Sequence, residues 1–170
     1  MKSIVKAYNY ILNAMAVIAG ILIFAAFVMI VVDVLMRITG LKPPLFTIAV
    51  VEYILLWFTM MAAPWLVRQK GHVFIDAVTQ FLPPVVKRAV AKLVYLICII
   101  SSTIYFIHTG GLFVSALQSG IIDVRSVDMP QWVLYAPMPV CFFFVVMEFG
   151  RFLIGIDDMY SDSIEARGGM

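Results

Sequence analysis

At 170 residues, 64% of them apolar and 13% charged, the chain carries more apolar surface than a soluble domain of its length can bury, since such a domain runs at about 45–50% apolar and about 25% charged. The formal charge of +2 is too small to argue for a nucleic-acid partner, so lipid is the expected second solvent. Cys98 and Cys141 both fall inside apolar runs and read as small buried hydrophobes rather than a disulfide or a metal pair.

Four segments, 11–36, 48–67, 93–114 and 132–154, approach or exceed the ~20 residues that cross a hydrocarbon core of about 30 Å. Backbone polar groups must be satisfied internally in lipid, so each is expected to be a helix. The chain reads as one all-α integral-membrane domain, 1–170. Lys2 and Lys6 precede the first segment, and Ala14–Met15–Ala16 resembles a cleavage site. No apolar stretch precedes that site, and the run after it far exceeds the ~7–15 residues of a signal peptide. A retained first helix is expected.

Asp33 and Arg37 stand four apart near the end of the first segment, and Glu52 opens the second. An ionisable group in a span costs at least a few kcal/mol unless it is paired or wetted. Arg37 and Glu52 both lie close to the joining loop, so an Arg37–Glu52 pair with Asp33 nearby is expected. A clamp within the bundle is the plainer reading; an ion or proton site, and snorkelling into headgroups without a partner, are the others. Trp57 falls in the middle of the second helix and should face protein, and Pro64 should perturb that helix further on.

The connection from Arg68 to Lys92 opens with RQKGHVFID, Arg68 to Asp76. His72 and Asp76 share the four-residue spacing of one helix face, which raises a metal or acid–base site. Two ligands without a third are poor evidence for zinc. Val73, Phe74, Ala77, Val78, Phe81 and Leu82 are apolar, while Asp76, Thr79 and Gln80 fall opposite. The pattern predicts an amphipathic surface helix over 73–82, ended by Pro83–Pro84 and lying along the membrane. The third helix is expected to begin at these prolines, with Lys87, Arg88 and Lys92 marking its entry into lipid.

The loop 115–131 holds Asp123, Arg125 and Asp128. In the fourth segment Pro137 and Pro139 predict a kink, and Glu148 and Arg151, three apart, predict a local pair. The acidic tail 157–170 is expected to be mobile. Lys2, Lys6, Arg68, Lys70, Lys87, Arg88, Lys92, Arg151 and Arg167 fall on one side, against Arg37, Lys42 and Arg125 on the other. Positive charge stays inside, so both termini are expected in the cytoplasm. Tyr8, Tyr10, Trp65 and Tyr95 then belong to the inner aromatic belt, and Trp132 and Tyr135 to the outer one.

The helix middles offer almost no polar groups, so the chain alone is not expected to carry a polar substrate. Ser101 and Ser102 have no histidine at their depth to activate them. His108 lies towards the outside and His72 at the inner surface, so the two cannot share a haem iron. An inert membrane subunit is expected, with neither catalysis nor cofactor. An autonomous four-helix transporter or channel is the alternative.

In order along the chain, MRITG (Met36–Gly40), VEYILLW (Val51–Trp57), AAPWLVRQKGHVFIDAVTQFLPP (Ala62–Pro84) and MPQWVLYAPMPV (Met129–Val140) resemble the small membrane subunit, DctQ type, of tripartite ATP-independent periplasmic (TRAP) transporters. The family often has two adjacent acids at the start of helix two; here Val51 precedes Glu52. The resemblance implies a bacterial inner-membrane protein that braces a large translocating subunit. That subunit takes up an organic acid, driven by sodium and delivered by a periplasmic binding protein. It matches Arg37 and Glu52 to the family's outer pair, and Gly71, His72 and Asp76 to its inner motif. In that motif Gly71 would allow a sharp exit from helix two, Asp76 would favour the start of the surface helix, and His72 would cap it or bridge to Asp76. The loop with Asp123, Arg125 and Asp128 is the candidate contact with the binding protein, a solvated loop being the plainer reading.

Overall fold

The computed structural model describes residues 2–69, 84–124 and 127–155. Among these residues four helices are long and apolar enough to cross a membrane: Val5–Ile38, Thr47–Arg68, Ala89–Ser119 and Gln131–Ile154. They belong to α1 (Lys2–Ile38), α2 (Thr47–Arg68), α3 (Pro84–Ser119) and the pair α4 (Gln131–Tyr135) and α5 (Pro137–Ile154). The all-α membrane architecture is therefore as the hydropathy predicts. One element was not expected: between α3 and α4, β1 (Ile122–Val124) and β2 (Asp128–Pro130) pair antiparallel, with Asp123 opposite Met129. The predicted surface helix 73–82 and the tail 157–170 lie outside the described residues.

Local sequence explains where the helices stop. At the end of α1, Gly40 takes a left-handed φ of 78°. Its N–H bonds the Arg37 carbonyl at 3.2 Å and the next N–H, of Leu41, bonds Met36 at 2.8 Å. This closing turn consumes two carbonyls that a helix end leaves open. Gly155 ends α5 with a φ of 79°. Pro84 opens α3 as expected, at a position whose N–H has no helical partner to lose.

The prolines divide in their effect. Pro137 separates α4 from α5 at Ala136, as its missing N–H predicts. Pro64 does not interrupt α2, which continues to Arg68 with that ring fully buried.

In the bundle α1 packs along α2, α2 along α5, and α5 along α3. The core lies among α2, α3 and α5 and comprises Val67, Ala91, Tyr95, Cys141, Val145, Phe149 and Phe152, with Cys98 packed against it. The two cysteines are free thiols and fill core volume, as their apolar surroundings predict. Rings join α3 to α5 along their length: Tyr95 to Phe152 at 5.8 Å, Tyr105 to Phe142 at 5.2 Å and Phe106 to Phe143 at 6.0 Å between centroids. Tyr95 is only 3% exposed, so it belongs to this core and not to a headgroup belt. By contrast α1 leaves Val17, Ile21, Phe24 and Phe27 exposed.

Candidate functional site

The charged side chains gather at the two ends of the helices. At one end, where α1 begins and α2 and α5 close, Glu148 is 1% exposed. A buried carboxylate needs partners, and α1 and α5 supply them. The Tyr8 hydroxyl donates to Oε1 at 2.7 Å. Arg151 Nη1 lies 3.2 Å from Oε1 and 3.3 Å from Oε2, forming the predicted ion pair. The Arg151 guanidinium also lies 5.8 Å from the Tyr8 ring centroid, and that ring lies 5.9 Å from Phe144. Phe144, Glu148 and Arg151 recur at helical spacing, so one face of α5 receives the Tyr8 ring and hydroxyl together.

The sequence located Glu148 and Arg151 but assigned Tyr8 to the headgroups. The missing partner sat at the far end of the chain, and only the fold brings it to Glu148. Arg68 is the last residue of α2. The Arg68 Nη1 and the Asn9 Oδ1 are buried without a hydrogen-bond partner among the described residues. Gly71, His72 and Asp76, the rest of the proposed corner, lie outside the described residues.

At the other end Arg37 Nε donates to Asp33 Oδ2 at 2.7 Å, one helical turn away. Asp33 Oδ1 is buried and has no hydrogen-bond partner among the described residues. Glu52 is exposed on the second turn of α2. Two side chains four apart on α2 reach across to the segment around the hairpin. The Tyr53 hydroxyl donates to Asp123 Oδ2 at 3.1 Å. Trp57 Nε1 donates to the Val133 carbonyl at 3.1 Å.

The second bond has a local cause. In an unbroken helix the N–H of residue 137 would take the carbonyl of residue 133. Pro137 has no N–H to give, so the Val133 carbonyl is open and the indole fills it. Trp57 therefore faces protein, as its mid-helix position predicts. Asp123 points inward to Tyr53, whereas Asp128 is exposed. Arg125 lies outside the described residues.

Chemically, this arrangement fastens helices. Each end carries a carboxylate held by an arginine of its own helix, and the ties between elements run from Tyr8 to Glu148, Tyr53 to Asp123 and Trp57 to Val133. Among the described residues no group of three or more His, Cys, Asp or Glu side chains is placed to hold a metal ion. Residues 7–32, 53–67 and 129–147 contain no Asp, Glu, Lys or Arg, so the middle of the bundle offers no charged stepping stones.

A family model described as "Tripartite ATP-independent periplasmic transporters, DctQ component" matches residues 26–156. No match was found among curated proteins.

Proposed function

The chain belongs to the DctQ component family of tripartite ATP-independent periplasmic transporters, and from that membership we propose that it is the static brace of a larger permease. It holds the large translocating subunit in the bacterial inner membrane while that subunit carries an organic acid inward on a sodium gradient. A periplasmic binding protein delivers the substrate on the side of the β1–β2 hairpin. Both termini and the 68–76 corner then face the cytoplasm. In that corner Gly71 turns the chain while His72 and Asp76 fasten the surface helix. At the opposite end the Arg37–Glu52 pair works beside Asp33.

The observation that carries this reading is the charge-free middle of α1, α2 and α5, set between end contacts that tie α1 to α5 through Tyr8 and Glu148 and tie α2 to the hairpin and α4 through Tyr53 and Trp57. A carrier needs charged or polar groups converging on a route, often at broken helices near the midplane; a brace needs tied ends and a charge-free middle. Reconstitution tests it. Liposomes holding this chain alone are expected to show no uptake, and adding the large subunit, binding protein and a sodium gradient restores it. Sodium-dependent uptake by the chain alone would replace the brace with an autonomous transporter.

A further inference from the structure

Membrane-spanning helices hide their hydroxyls by bonding them back to their own backbone. Thr59, Thr103 and Thr109 do so, each at 2.7 Å to a carbonyl one turn earlier. One face of α3 departs from this habit. Ser101, Ile104, His108, Gly111, Ser115 and Gln118 are all exposed. They recur at alternating steps of three and four, the 3.5-residue period of a helix seam. The side chains of Ser101, His108 and Ser115 make no hydrogen bond among the described residues.

The next face round the same helix, Ile100, Ile107 and Val114, is 51%, 68% and 50% exposed and wholly apolar. Lipid suits that second face. It does not suit the first. Lys92 is the last cation before the span. At 1.5 Å rise Ser101 stands about 14 Å beyond it and His108 about 24 Å, both within a core of about 30 Å. Polar and ionisable groups at such depth face protein or water rather than acyl chains. Small and hydroxyl residues on one seam are what closely packed membrane helices share.

We infer that the Ser101–His108–Ser115 seam of α3 is where a transmembrane helix of the large subunit docks, presenting hydrogen-bonding side chains to it. The neighbouring Ile100–Ile107–Val114 face meets lipid. This rests on the brace reading, which supplies the partner, and names the surface by which the brace is attached.

Photo-crosslinking of the assembled complex tests it. Benzoylphenylalanine replaces Ser101, His108 or Ser115 in turn, with Ile100, Ile107 or Val114 as the comparison face. The seam positions are expected to give several-fold more adduct with the large subunit than the apolar positions. In a second arm, His108→Leu lowers the amount of large subunit that co-purifies, and Ile107→Leu leaves it unchanged. Equal adducts from both faces, adducts with lipid alone, or an adduct of twice this chain's mass would overturn the assignment. If the unsubstituted chain brings down no large subunit, the brace reading itself falls. If it does but crosslinks elsewhere, only the seam falls.

Discussion

Tyr8 and Glu148, 140 residues apart in the chain, share a 2.7 Å hydrogen bond that joins the first helix to the last. The core proper lies among α2, α3 and α5, while α1 packs chiefly along α2. The phenol therefore gives α1 a second, directional attachment. It also completes the partners of a carboxylate that solvent barely reaches.

Tyr8→Phe keeps the ring against Phe144 and Arg151 and removes only the hydroxyl. Hydrogen bonds to charged groups are worth about 1.5–3 kcal/mol in water-soluble proteins. Those between membrane helices average nearer ~0.6 kcal/mol. A loss of about 1 kcal/mol is expected, read as a lowered Tm in detergent. An unchanged Tm would show that the bond holds nothing.

Arg151→Leu is expected to be worse than removing both charges. It strands a buried carboxylate with only the phenol as donor, at a cost of about 2–4 kcal/mol given that Arg151 itself keeps some solvent contact. The double variant Glu148→Leu/Arg151→Leu removes the stranded charge and should recover most of the loss. Unfolding of both variants beside the wild type checks this, and a double variant less stable than Arg151→Leu refutes it.

These residues also show what the sequence could and could not reveal. Hydropathy placed the spans because lipid imposes one demand on every residue of a long segment. The Glu148–Arg151 pair was legible because a helix fixes its own neighbours at three and four residues. Pro137 marked the α4–α5 break for the same local reason. Tyr8 was misread because its partner depends on how α1 leans on α5, which no local pattern encodes. Tyr95 was misread likewise, since its depth suited either a headgroup or the α3–α5 core. The β1–β2 ladder is three residues a strand, too short to leave an alternation in the sequence.

The hairpin acids should separate in experiment. Asp123 is engaged by Tyr53, while Asp128 is exposed. Asp128→Lys is expected to weaken docking of the binding protein without lowering Tm. Asp123→Asn is expected to lower Tm slightly, through the weaker bond from Tyr53. Binding-protein affinity and Tm measured on the same samples decide it. Equal effects of both substitutions on affinity, with no change in Tm, would contradict the inward role of Asp123.

The bond from Trp57 to Val133 exists because Pro137 leaves that carbonyl open, and this dependence can be measured. Trp57→Phe keeps an aromatic ring but removes the donor, leaving the carbonyl unpaired at a cost of about 1 kcal/mol. Pro137→Ala restores an N–H one turn on, which competes for the same carbonyl and should close the helix across Ala136. In that background Trp57→Phe loses less, because Val133 already has a partner. Pro137 is fully buried, so alanine also leaves a void. That cost appears in both alanine variants and cancels in a double-mutant cycle. The cycle is expected to show a coupling of about 0.5–1 kcal/mol, with the proline raising the worth of the indole. Strict additivity of the two substitutions would mean that the indole takes a carbonyl the proline did not release.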